Sequence, residues 1–279
     1  MKLSLSVRVA EAPYSKEESI RSFDQIADLA CNIGYHAVCM RASQAGIQSP
    51  IQVVTSVRKA IEKRGLAVSM VTGDFPIPIN NDHAPDALRN ITPYLDLAEL
   101  LDADLMRIGM KSGQDIVWAQ RACDEARERN IRIAHQSHTL SLFETVAESL
   151  DVLKRVARKN FGLIYEPANL DLCGEDYGKE TLKAFAPYLF NVYLQNHVRR
   201  SDGSITLHTW TRGDVPHDPI KLQDPGGIDY AHIFEGLAEI GYDGYVTVHQ
   251  AFTQIMTPED AARESYDYLT GIAAFEEGP

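Results

Sequence analysis

Residues 131–166 read IRIAHQSHTLSLFETVAESLDVLKRVARKNFGLIYE, and this stretch decides the fold. Both ends, Ile131 to Gln136 and Phe161 to Glu166, are short apolar runs with β-branched or aromatic residues, which is strand composition. Between them Val146, Leu150, Leu153 and Val156 recur at helical spacing on one face. Strand, helix and strand in so short a span describe a βαβ unit, whose two strands run parallel.

The same alternation extends in both directions. Upstream, LMRIGM precedes a polar-faced helix over residues 113–129, and LAVSMV precedes a helix opened at Pro85 with Leu88, Ile91, Leu95 and Ala98 on one face. AVCM at 37–40 leads to a helix opened by Pro50 and ended by Gly65. The first strand, in MKLSLSVRVA, alternates apolar with polar residues, and Ser15-Lys16-Glu17-Glu18 then reads as a capping box for a helix carrying Ile20, Phe23, Ala27 and Ala30 as far as Gly34. Downstream, a helix near 179–187 leads to LFNVYLQN, and one near 229–240 leads to YVTVHQ. Eight strand centres, near 5, 38, 70, 107, 134, 164, 193 and 247, predict a closed (β/α)8 barrel forming one domain over residues 1–279. A doubly wound open sheet is the runner-up, weakened because no G-x-G-x-x-G follows the first strand. The long connections 73–84 and 198–227 both follow strand C-termini, where barrel active sites are built.

Composition narrows the function. The 27 Lys and Arg residues against 39 Asp and Glu give a net charge of -12, which argues against nucleic acid or an anionic membrane as partner, although a local basic pocket is compatible with it. No apolar run reaches the roughly 18 residues of a membrane span, and the N-terminus lacks the unbroken apolar stretch of a signal peptide. The four cysteines contain no C-x-x-C pair. A cytoplasmic protein with reduced thiols is expected.

Polar residues in or near the predicted strand ends are the candidates for chemistry: Arg41, Arg107, Gln136, His138, Glu166, Asn169, Gln195, His197 and His249. Glu166 is the sole carboxylate of that ring, so something cationic should meet it: a metal, a protonated His249 or His138, or Arg107. An imidazole such as that of His249, with an unperturbed pKa near 6.5, is suited to taking a proton near pH 7. In the 198–227 connection, Arg199, Arg200, His208, Trp210, Arg212 and His217 form a basic and aromatic patch suited to a sugar phosphate, a carboxylated sugar or a glycoside ring.

Four motifs carry a family likeness. They are Gln136-Ser137-His138, Glu166-Pro167-Ala168-Asn169, Gly241-Tyr242-Asp243-Gly244-Tyr245 and Asp224-Pro225-Gly226-Gly227-Ile228-Asp229. With them the chain resembles, over essentially its whole length, the xylose-isomerase-like TIM barrels of the sugar phosphate isomerase and epimerase family. The resemblance implies a divalent metal (Mn, Zn, Mg, Fe or Ni) held by Gln136, Glu166, Gln195 and His249, with Tyr193 the alternative to Gln195 depending on register. The family's fifth strand typically ends E-x-H and its eighth in Glu. Here Gln136 and His249 stand at those places, leaving one formal negative charge instead of three.

The implied activity is that of a carbohydrate isomerase or epimerase moving a proton next to a sugar carbonyl, with Glu166 and His249 catalytic. His138, Asn169, Arg107, His197, Trp210 and Arg212 would bind substrate. The alternatives are a lyase, dehydratase or C-glycoside-cleaving enzyme acting on an oxidised sugar, and a catalytically degenerate sugar-binding barrel or complex subunit. The implied partner is a small-molecule carbohydrate, and homo-oligomers are common among resembling proteins.

Overall fold

The structure, a computed structural model, describes residues 1–251 and 253–278. Eight parallel strands close into a barrel: β1 (Lys2–Ser6), β2 (Ala37–Arg41), β3 (Ala67–Thr72), β4 (Leu105–Ile108), β5 (Arg132–Gln136), β6 (Phe161–Tyr165), β7 (Leu189–Leu194) and β11 (Tyr245–Val248). All eight lie where the sequence places them. The strands pair in chain order, and β11 closes the ring between β7 and β1.

Among the helices around it, α1 (Phe23–Ile33), α2 (Ile51–Lys63), α6 (Asp115–Glu128), α7 (Val146–Val156), α9 (Lys179–Phe185) and α10 (Tyr230–Glu239) match the expected crossovers. Their apolar stripes, such as Ile26, Ala27 and Ala30 on α1 or Val152, Leu153 and Val156 on α7, join the large buried cluster between barrel and helices. The C-terminal helix α11 (Pro258–Ile272) packs against α1. No helix among the described residues is long and apolar enough to cross a membrane.

Three local departures bear on the site. The cap of α1 is Ser22, whose hydroxyl accepts from the Gln25 amide while the Gln25 side chain accepts from the Ser22 amide. Ser15 instead closes a short turn, accepting from the Glu17 and Glu18 amides, and residues 12–19 are a loop that carries Lys16 over the barrel mouth. Ser22→Ala is therefore expected to lower stability by about 1 kcal/mol. Ser15→Ala, whose exposed hydrogen bonds water can replace, should cost less; equal losses in urea denaturation would contradict this assignment.

The helix expected from Pro85 is split into α4 (Asp86–Arg89) and α5 (Thr92–Leu101), because Pro93 has no N–H for the Arg89 carbonyl and its ring crowds that position. A short α3 (Pro76–Ile79) lies within the connection before it. The connection after β7, expected as a long loop, instead holds an antiparallel sheet of β8 (Asn196–Arg199), β9 (Ile205–Thr209) and β10 (Gly213–Ile220), with β10 in the middle. Gly213, at φ 70°, sits at the turn between β9 and β10 in the left-handed conformation that glycine adopts without strain.

The barrel interior is layered. Cys39, Met70, Leu105, Ala134, Ile164 and Tyr193 form one buried cluster across six strands. Side chains two residues further on return to the same face. That second layer holds Arg41, Thr72, Arg107, Gln136, Glu166 and Gln195, so the polar ring inferred from strand ends sits directly above an apolar floor. Tyr193 and Gln195 therefore do not compete for one place: Tyr193 belongs to the floor and Gln195 to the mouth.

Candidate active site

A cavity of about 330 Å³ opens at the C-terminal end of the barrel. Its base is formed by Arg41, Arg107, Gln136 and Gln195 of the second layer, and its roof comes from the loop with Ala12, Tyr14 and Lys16, from Pro78 to Asn80, and from the added sheet through Ile205, Leu207 and His217. The Nζ of Lys16 donates to the Pro78 carbonyl at 2.6 Å, tying two parts of the roof together.

Glu166 follows the last residue of β6, stands immediately before the short helix α8 (Pro167–Cys173), and is fully buried. One turn on, the Asn169 amide donates to Glu166 Oε2 at 2.8 Å and to the Ser137 carbonyl at 2.9 Å, while the Gln195 amide donates to Glu166 Oε1. Burial pushes the Glu166 carboxyl up to about 8, against the opposing pull of Arg8, Arg107 and Lys16. These three are the cations that meet Glu166.

Arg8, just past β1, places its Nη1 3.2 Å from the Oε1 of Gln195. Arg41 is paired with Glu11 through Nε and Nη2 at 2.6 and 3.0 Å, both partners being almost wholly buried. Arg107, 3% exposed, has no hydrogen-bond or ion-pair partner among the described residues, and its Nε is buried and unpaired. Desolvation lowers the Arg8 guanidinium to about 10 and the Lys16 ammonium to about 7, with neighbouring arginines adding to both.

The histidines differ from the sequence expectation. His249 stacks on Tyr193 at 3.7 Å between ring centroids, with Nδ1 3.2 Å from Ser6 Oγ. Burial, then Arg8, Arg41, Arg107 and Lys16, hold it well below an ordinary imidazole, so it is neutral at pH 7 and poorly suited to collecting a proton there. His138 is likewise kept neutral, by burial and Arg107, with its Nδ1 2.8 Å from the Thr139 carbonyl. His197 lines the cavity from β8, with its Nε2 2.9 Å from Asp171 Oδ2.

Of the expected substrate contacts, Arg107, His138, Asn169 and His197 converge on the cavity. Trp210 and Arg212 do not. Trp210 is 52% exposed, and Arg212 lines shallow outer clefts with Arg199, because the turn that carries both is pinned away from the mouth by their neighbour Glu144. The amides of Trp210 and Thr211 both donate to that carboxylate, at 2.9 Å each. The patch dissolves further, since Arg199 pairs with Asp171 and Arg200 with Asp218. Sequence reasoning missed Arg8, Glu11 and Lys16. Arg8 lies on the short 3-10 turn Val7–Ala10, past the end of β1, so strand alternation through Ser4 and Ser6 does not by itself place it.

The set Gln136, Glu166, Gln195 and His249 does not fit a divalent metal. Gln195 is engaged at both ends, by Arg8 and Glu166, and the Nδ1 of His249 faces Ser6. Arg8, Lys16, Arg41 and Arg107 line the cavity with the carboxyl of Glu11, and Glu166 is buried just behind that lining, an arrangement that opposes a cation. Among the described residues no three His, Cys, Asp or Glu side chains are grouped to hold a metal ion.

Comparison with known proteins agrees with this architecture. Residues 27–272 match the family described as the xylose isomerase-like TIM barrel, and the chain belongs to that family. It superimposes on the probable 3-DHS dehydratase AsbF of Bacillus anthracis with a TM-score of 0.75 and 15% identity, covering 97% of this chain and 99% of that one. For D-psicose 3-epimerase with D-tagatose, from Clostridium cellulolyticum H10, the values are 0.70 and 13%, with 98% and 99% covered. A xylose isomerase-like barrel from Mycobacterium smegmatis, in complex with magnesium, gives 0.70 and 14%, with 97% and 96% covered. No curated protein matches the sequence.

Proposed function

We propose that the protein is a carbohydrate-active enzyme of the isomerase and epimerase kind, which moves a proton at a carbon next to a carbonyl, and that Glu166 takes and returns that proton. The observation that carries the reading is Glu166 itself, a fully buried carboxyl just past a strand end, directly behind the cavity-lining side chains of Asn169 and Gln195, raised to about 8 and held by their two amides. A base of this strength is matched to work near neutral pH. The amides of Asn169 and Gln195 fix its two oxygens, so its geometry is set before substrate arrives. Gln136, whose Oε1 is buried without a partner, and the neutral imidazoles of His138 and His249 suit sugar hydroxyls, which both donate and accept.

A second reading, elimination from an oxidised sugar, is favoured by one specific observation. Glu11, the carboxyl that lines the cavity, is tied to Arg41, so a two-carboxylate epimerisation lacks its second base. Proton removal by one base followed by loss of a β-hydroxyl needs only Glu166. Incubation of keto sugars and keto sugar acids with the enzyme in D2O, followed by NMR and mass spectrometry, separates the two. Isomerisation or epimerisation introduces deuterium and otherwise preserves the mass, elimination loses water, and exchange at no carbon of any substrate leaves a binding role in place of catalysis.

A further inference from the structure

Two kinds of buried arginine stand side by side in the barrel mouth. Arg41 shows what a structural one requires here, since Glu11 meets its fork at two nitrogens. Arg107 has the same depth and no partner among the described residues. Among the described residues, the one side-chain hydrogen bond of Arg8 is to the neutral Oε1 of Gln195, and that of Lys16 to the carbonyl of Pro78. A buried guanidinium without a counter-charge carries a large desolvation penalty that the fold does not relieve. The three are also close enough to one another for Arg8 and Arg107 each to weaken the charged form of Lys16. Glu11 and Glu166 are the carboxyls that act on these cations, but Glu11 is already paired with Arg41 and burial pushes Glu166 toward its neutral form, so a fold that brings Arg8, Lys16 and Arg107 to one cavity is arranged for a counter-charge that arrives with a ligand.

We propose that Arg8, Lys16 and Arg107 form an oxyanion subsite, which takes the carboxylate or phosphoryl group of a small polyhydroxylated substrate at the place where the sequence resemblance implies a divalent cation. This deepens the carbohydrate reading above and rests on it. Guanidinium forks match the paired oxygens of carboxylate and phosphate, and the ammonium of Lys16 adds a third donor from the roof. The cavity of about 330 Å³ is small for a ligand pocket, which suits one monosaccharide-sized molecule. Gln136, Asn169 and His138 are left to meet its hydroxyls.

The test is calorimetric titration of the full chain, dialysed against chelator at low ionic strength, with D-glucuronate, D-glucose 6-phosphate, D-glucose and MnCl2 as separate probes. At least one oxyanion is expected to bind 10-fold or more tightly than glucose. Arg107→Met and Arg8→Gln should each weaken that binding by 10-fold or more, and Arg107→Met should raise the melting temperature of the ligand-free protein because it removes an unpaired buried charge. Glucuronate against glucose 6-phosphate tells carboxylate from phosphoryl recognition. Should either variant misfold, Arg107→Lys keeps the charge without the fork, and weaker binding with the oxyanion preference retained supports the subsite. Glucose binding as tightly as both anions, or stoichiometric Mn²⁺ binding lost in Glu166→Gln, would overturn it. Oxyanion preference with no proton exchange would overturn the proton-transfer reading alone, whereas exchange on neutral sugars without that preference would overturn the subsite alone.

Discussion

Glu166→Gln lowers kcat by roughly 10²- to 10⁴-fold, the range that a positioned acid or base supplies, with KM little changed. The substitution keeps the volume of a fully buried side chain, and its carbonyl still accepts from one of the two amides, while its NH2 faces the other donor and costs one of the two hydrogen bonds. What disappears is the titrating proton. In the wild type, kcat/KM should rise with pH and level off above about 8, because burial raises Glu166 to that value and a base must be ionised to act. The variant should lose this limb.

Stability gives an independent reading of the same group. The folded carboxyl binds its proton more tightly than at its ordinary value of 4.5, so its favourable contribution is complete below that pH and is lost as pH rises through about 8. Between those values the wild type should lose melting temperature relative to Glu166→Gln. Full turnover in the variant would remove Glu166 from the mechanism and direct attention to Lys16, a cavity-lining group also brought near neutrality.

The barrel was legible because its signal is repeated. Each βα unit states the same pattern, so the misplaced cap at Ser15 and the helix interrupted before Pro93 left the strand count intact. The polar ring was legible for a related reason, since strand alternation fixes which side chains face inward once strand ends are known. Charge was harder to read. The sequence shows that Arg8, Arg107 and Glu166 are charged, but which carboxylate neutralises which arginine depends on contacts between positions far apart in the chain, such as Arg41 with Glu11 and Arg200 with Asp218. The basic patch in 198–227 therefore looked like the anion site, and the cations without counter-charges lay in the barrel instead. His249 was misjudged for the same reason: its ordinary pKa is a property of the residue, whereas its shift belongs to burial among four cations.

Glu11→Ala should be the most damaging single change to folding. Glu11 meets Arg41 at 2.6 and 3.0 Å and also accepts from Ser43 Oγ at 3.0 Å, with about 1% of its side chain exposed. Removing one partner of a buried pair strands the other charge, at a cost of about 3–5 kcal/mol. In a chain of this size that corresponds to a fall in melting temperature of roughly 5 to 9 °C. The stranded Arg41 would join Arg8 and Arg107 beside the same cavity, so repulsion adds to desolvation. Two further measurements identify the cause. Glu11→Ala combined with Arg41→Met should recover most of the loss, because the double variant buries no uncompensated charge. A bound oxyanion should stabilise Glu11→Ala more than the wild type, since it supplies the missing counter-charge. A loss below about 1 kcal/mol would mean that water reaches Arg41 through the mouth and that the pair behaves as an exposed one.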